Sequence, residues 1–149
     1  MTISIDDLRA KLAGTALPGG ELVLEEYESA IADAAFRAED DAGGFAHPAW
    51  FIIASLRGMG ISVDELCALA EQEPGDTLLF GNCEVEQFRP LTPGTRYRTY
   101  AEITDVGSRT TRDGSRLDHL TVSVTVSHPA ADAGRVTSVY LFKRATEAA

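Results

Sequence analysis

The stretch PAWFIIASLRGM, residues 48–59, has no polar face at helical spacing: Trp50, Phe51, Ile52, Ile53, Ala54, Leu56 and Met59 point in every direction around an axis. A helix of that kind has to be surrounded rather than laid on a surface. Pro48 suits its first turn, where the missing N–H would have no intrahelical partner, so a helix is expected over 48–60. The material to surround it lies in the second half of the chain. In LTVSVTVSH, Leu120, Val122, Val124 and Val126 alternate with Thr121, Ser123, Thr125 and Ser127, which describes a strand with one buried face. RYRTYAEI alternates in the same way, setting Tyr97, Thr99, Ala101 and Ile103 opposite Arg96, Arg98, Tyr100 and Glu102.

Four strands are predicted, over 77–90, 95–106, 116–128 and 134–145. Their connections, LTPG, TRDGS and PAADAG, are short and rich in turn formers, which predicts sequential antiparallel pairing. The first half reads as helical. SIDDLRAKLAG places Ile5, Leu8 and Leu12 on one face after a Ser4 cap, giving a helical extension over about 1–18. ELVLEEYES is expected to add a strand with Leu22 and Leu24 on one face, AIADAAFRAEDD a helix, and SVDELCALAEQ a second helix opened by a Ser62–Glu65 capping box. An antiparallel sheet of about five strands has one apolar face to cover, and only the 48–60 helix is apolar enough to fill its concavity. The expectation is therefore an α+β chain forming one hotdog domain over 1–149: a curved antiparallel sheet, its strands within 77–145, wrapped round a central helix.

Charge narrows the function. The 149 residues carry a formal charge of −10, which argues against nucleic acid or an anionic membrane as partner. Residues 1–76 hold 15 acidic and 4 basic side chains, and residues 77–149 hold 8 and 9, so an anionic ligand is expected on the second half. Cys67 and Cys83 have no metal-ligand spacing and read as small core residues, free and reduced. The opening MTISIDDLRAKL is charged where a signal peptide needs an apolar run, and no segment is long enough to span a membrane, so a cytoplasmic location is expected.

Three segments carry a family resemblance. GGFAHPAWFI is similar to the "A-H-G" stretch that opens the central helix of MaoC-like acyl-CoA dehydratases. VEQFRPLTPGTRYRTYAEITDV resembles the strand, turn and strand that follow it there, and VTVSHPAADAGRVTSVYLFKR resembles the family's last hairpin with its closing basic residue. The resemblance covers roughly 20–145. It implies a coenzyme A or acyl-carrier thioester as ligand, no further cofactor, and addition or removal of water beside the carbonyl. That chemistry requires an acid–base pair and donors for the enolate oxygen.

Two departures qualify it. The family's "D-x-N-P-x-H" pair is missing, and the place of its histidine falls near Ala30 or Ile31. The glycine after "A-H", whose N–H is the family's donor to the thioester oxygen, is here Pro48, which has none. Ala49 and Trp50 are then expected to offer the remaining free N–H groups. Losing both features resembles the family's non-catalytic (FAS1-type dehydratase N-terminal-like) members, the non-catalytic half of double-hotdog hydratases and the inactive subunit of paired dehydratases. This implies an accessory chain, in a homodimer or in a heterodimer or heterotetramer with a catalytic hydratase chain.

The residues leave other readings open. His47 could act as a general base oriented by Asp40 or Asp41, or it could cap the buried helix. Tyr27 with Glu25, Glu26 and Glu28 could form a substitute acid–base group if that segment is a strand. Arg89 could meet ligand phosphates or neutralise Glu84 or Glu86. Arg96 and Arg98, with Arg109, Arg112 and Arg116 around the next turn, form the best basic patch for coenzyme A phosphates. Phe51, Trp50 and Met59 could line an acyl tunnel or form core. His119 and His128 lie too far from any cysteine pair to suggest a metal. An active hydratase, a thioesterase using Glu25, Asp33 or Asp41, and a non-enzymatic homodimer binding an apolar ligand are the alternatives.

Overall fold

The structure is a computed structural model that describes residues 2–37 and 44–146. Its elements run α1 (Ile5–Leu12), β1 (Thr15–Val23), α2 (Glu26–Ala35), α3 (Trp50–Arg57), α4 (Val63–Leu69), β2 (Thr77–Gln87), β3 (Arg96–Thr110), β4 (Arg116–His128) and β5 (Ala131–Lys143). The five strands form one antiparallel sheet in the order β1-β3-β4-β5-β2. Val122, Val124, Val126, Val136, Tyr140 and Phe142 line its buried face. Two adjoining cores cover that face: Trp50, Phe51 and Ala54 of α3 pack on Val126 and Val136, and Leu8, Leu12, Met59 and Leu66 pack on Ile103, Leu120 and Phe142. This is the hotdog architecture that the alternating strands and the apolar helix predict.

The structure corrects several boundaries. The helical extension ends at Leu12, and residues 15–18 already belong to β1, whose register shifts between Leu17 and Gly20. Glu25 is not in a strand; it caps α2 in a reciprocal capping box with Glu28, which turns Tyr27 into a first-turn helical residue. The central helix is Trp50–Arg57 rather than 48–60. Its entry is a tight turn in which the N–H groups of Trp50, Phe51 and Ile52 reach back only three residues, to the carbonyls of His47, Pro48 and Ala49. Nor is it enclosed on all sides: Ile52 and Leu56, one turn apart, are 45% and 43% exposed. Cys83 is exposed on β2, whereas Cys67 is buried; both are free thiols.

The pairing is not wholly sequential. β2 lies against β5 at one edge, and β3 lies between β1 and β4, so residues 88–95 cross the end of the sheet between them. They are tied down on the way: the N–H groups of Phe88 and Arg89 both donate to the Ala133 carbonyl, the Leu91 carbonyl accepts from Ala46, and Gly94 donates to Leu24. The β2–β3 hairpin that the short LTPG connection suggests does not form. Among the described residues no helix is long and apolar enough to cross a membrane.

The opposite end of the sheet is locked by buried charge. Arg144, just past β5, donates from Nε to Asp118 at 2.8 Å, from Nη1 to Asp76 at 2.9 Å and from Nη2 to the Ala70 carbonyl at 2.8 Å. Arg116 adds a bidentate pair to Asp118, both bonds at 2.7 Å, and Ser108 donates to it at 2.8 Å. Burial alone would raise both carboxyls, but the hydrogen bonds from Arg116, Arg144 and Ser108 hold Asp118 below the ordinary carboxylate range. The N–H groups of Glu73 and Ala145 with Arg144 do the same for Asp76. Such a network stabilises only while complete, because removing one partner strands a buried charge. Arg144→Met is expected to lower the unfolding free energy by about 3–5 kcal/mol in urea titrations. Because the two carboxyls titrate below their unfolded values, their contribution is present above about pH 4 and lost as pH falls further. Asp118→Asn should flatten that acid limb of the stability profile.

Candidate functional site

The crossing segment forms one wall of a cleft. Tyr97, the second residue of β3, turns its hydroxyl back to accept the Thr92 N–H at 2.8 Å, which fixes the turn that carries Arg89 and Pro90. With Phe45, Thr95 and His128 these residues line a cleft of about 410 Å³. His128, the last residue of β4, stands edge-on to Tyr97 with ring centroids 6.1 Å apart. On its other side it lines a second cleft of about 370 Å³ with Arg98, Tyr100 and Ser127. Its Nδ1 accepts the Ala130 N–H at 3.4 Å, which assigns the proton of the neutral ring to Nε2. Among the described residues no carboxylate pairs with Arg89 or Arg98, while Arg96 meets Glu21 at 3.4 Å on the surface. Two unpaired guanidinium groups and an imidazole at adjoining clefts favour an anion there.

Beside this cleft the chain enters α3. The His47 ring packs on Phe36 at 4.9 Å, and its Nδ1 accepts the Ala49 N–H at 3.1 Å. The His47 carbonyl accepts the Trp50 N–H at 3.0 Å. The two donors expected to be free are therefore both used by His47 itself, and Pro48 has none. The helix opening is closed by its own residues. This corrects the expectation of free Ala49 and Trp50 N–H groups, and it gives His47 a capping role that the sequence also allowed.

Behind Trp50, Arg57 lies over the indole at 5.5 Å and pairs with Glu28 at 2.7 Å. That hydrogen bond, against some desolvation, holds the Glu28 carboxyl below its usual range. The indole Nε1 of Trp50, Oδ1 of Asp33 and Oγ1 of Thr99 are buried without a hydrogen-bond partner among the described residues.

The predicted residues are only partly brought together. Arg89 and Arg98 converge through His128, whereas Arg96 is engaged with Glu21. Tyr27 is 67% exposed on α2, with no hydrogen bond or ring contact joining it to His47. Phe51 is enclosed, packed against Gly134. Asp41 and Asp40 lie outside the described residues. Among the described residues no group of three metal-ligating side chains forms. Phe45 was not picked out by sequence, and His128 was weighed there only as a metal ligand. The available signal was that His128 ends the cleanest strand, but only pairing shows that this end meets Tyr97.

No family model matches the sequence, and no curated protein matches it. Solved structures share the fold. A MaoC-like dehydratase superposes with a TM-score of 0.64 at 19% identity, over 93% of this chain and 44% of its own. The ChsH1-ChsH2 complex from Mycobacterium tuberculosis gives 0.60 at 20% identity, over 96% and 91%. The fluoroacetyl-CoA-specific thioesterase FlK, as its F36A mutant, gives 0.61 at 14% identity, over 87% and 86%.

If His47 caps the helix, His47→Ala should cost about 0.5–2 kcal/mol of stability. It should also speed hydrogen exchange at the Ala49 amide. An unchanged exchange rate would remove His47 from this role.

Proposed function

We propose that the protein is a MaoC-like hotdog chain that binds an acyl-CoA or acyl-carrier thioester and serves as the non-catalytic partner of a hydratase or dehydratase chain. The observation that carries this reading is the closed helix opening. Where an active chain would aim N–H groups at the thioester oxygen, Pro48 has no donor and His47 occupies those of Ala49 and Trp50. Loss of one preorganised donor costs about 100- to 1,000-fold in rate, and here no donor is left over. The family's Asp/His pair has no counterpart in the sequence either, its place falling on α2 near Ala30 and Ile31.

Binding remains well provided for. The clefts around His128, with Arg89 and Arg98, suit the phosphates of a coenzyme A or carrier arm. The exposed Ile52 and Leu56 of α3 are apolar surface that an acyl chain or a partner chain would cover.

The edge of the sheet supports a partner. β2 is an eleven-residue edge strand, exposed along nearly all its length, and it presents Leu79, Val85 and a Phe80 that is 66% exposed. Both edges carry a register shift, β1 between Leu17 and Gly20 and β2 between Phe80 and Cys83, but β1 alone also holds a proline, Pro18, which has no N–H to pair. A second hotdog extending the sheet along β2 satisfies that edge. One solved neighbour is itself a two-component complex. The thioesterase neighbour favours one rival reading, in which this chain hydrolyses an acyl-CoA itself.

Co-expression with the product of the adjacent reading frame should give a stable complex with hydratase activity that neither chain has alone. Release of free thiol from acyl-CoA by the isolated chain would support the thioesterase instead. Phe80→Asp on β2 should reduce the assembly to single chains in sedimentation. An unchanged mass would exclude β2 as the pairing edge.

A further inference from the structure

The face of the sheet turned away from α3 carries an open groove of about 630 Å³. Register explains its shape. Tyr100 of β3, Thr125 of β4, Arg135 of β5 and Glu86 of β2 form one row across four strands, and Glu102, Ser123, Thr137 and Glu84 form the next. The short hydroxyl side chains fall in the middle, on β4 and β5. The long ones stand at the sides, so the rows enclose a trough with a hydroxyl floor, with Tyr100 and Glu102 as one wall and Arg135 and Glu86 as the other.

The groups in this trough are not engaged with each other. Arg135 and Glu86 are directly opposed on neighbouring strands, where an ion pair is ordinarily favourable, yet among the described residues no carboxylate pairs with Arg135. Its guanidinium makes one long contact, from Nε to Thr125 Oγ1 at 3.5 Å. Glu86 and Glu102 likewise have no side-chain hydrogen bond among the described residues. Tyr100 is 58% exposed in mid-sheet, with no ring partner and no bond to its hydroxyl among the described residues. An aromatic face, two free carboxylates, a free guanidinium and hydroxyls thus converge on one concave surface.

We infer that this trough is a second binding site, for a neutral polyhydroxylated ligand of one or two sugar rings. Two carboxylates against one guanidinium disfavour an anion, which distinguishes this surface in charge from the basic cleft that it adjoins at Tyr100. Carboxylates accept from paired hydroxyls, Arg135 donates to ring or hydroxyl oxygens, and the Tyr100 ring offers an apolar platform for the C–H face of a sugar. The volume suits such a ligand, and a concave site with a few convergent polar groups is the usual form of a small-molecule site.

The experiment is an amide-shift titration of the full chain with maltose, and with glucose 6-phosphate as the anionic comparison. Maltose should saturably shift the amides of Tyr100, Thr125 and Thr137, and glucose 6-phosphate should bind more weakly. Tyr100→Ala and Glu102→Gln should each weaken maltose about tenfold, the scale of one lost contact to an aromatic or charged group. Both positions are exposed, so unchanged circular dichroism verifies the fold. Absence of maltose shifts at these amides, or equal binding by Tyr100→Ala, would overturn the proposal. So would shifts that follow protein concentration rather than sugar, which would mark the trough as a contact between copies. Acyl-CoA binding by Glu102→Gln, which lies outside the clefts around His128, should stay at the parent level, so failure here is separable from failure of the thioester reading.

Discussion

Everything in this chain depends on how closely α3 approaches the sheet. At Gly134 on β5, a Cβ would stand 2.5 Å from a ring carbon of Phe51 and 2.7 Å from the Glu86 carbonyl. At Gly58, at the end of α3, one would stand 2.7 Å from the Thr99 methyl. No side chain fits at either place, so the helix sits down on β3, β4 and β5 as tightly as backbone allows. That seat takes in Leu91 of residues 88–95, which cross the end of the sheet and form one wall of the Tyr97–His128 cleft. It also leaves one flank of α3 uncovered beyond the sheet.

The two ends of the sheet then divide the work. At one end Arg144, Asp76 and Asp118 are fully buried and mutually satisfied, a rigid clamp between β4, β5 and the turn after α4. At the other, Arg89, Arg98 and His128 are open to solvent and have no acidic partner among the described residues. Charged groups held in place by one another stabilise a fold, whereas charged groups left free at a cleft remain available to a ligand. The sequence asymmetry, acidic first half and balanced second half, is only partly spatial: seven of the 15 acidic residues of the first half sit on α1, α2 and α4, while Arg89 and Arg98 lie at the open end of the sheet.

Much of the fold was legible because period-two alternation in β3 and β4 and the all-round apolarity of α3 are local signals that tertiary packing reinforces. The β2–β5 pairing was not legible, since short connections argue for neighbours whereas β2 and β5 are separated in the chain by two other strands. The strand expected at 21–29 split into β1 and α2 because Glu25 and Glu28 cap each other, a reciprocal bond that an acidic run conceals. At the site, Pro48 was informative from sequence alone, its missing donor being a covalent fact. The use of the Ala49 and Trp50 N–H groups by His47 was not, because it depends on a ring orientation set by Phe36. The resemblance drew attention to the closing basic residue of the chain, but its partners, 26 and 68 residues away, emerged only in the folded structure.

The central claim is that this chain holds a thioester without transforming it. The direct measurement follows binding and turnover together, by incubating the purified chain alone with a short enoyl-CoA. A helix opening closed by His47 predicts saturable binding with the enoyl-CoA recovered unchanged. Hydration at ordinary enzyme rates, abolished by His47→Ala, would contradict it.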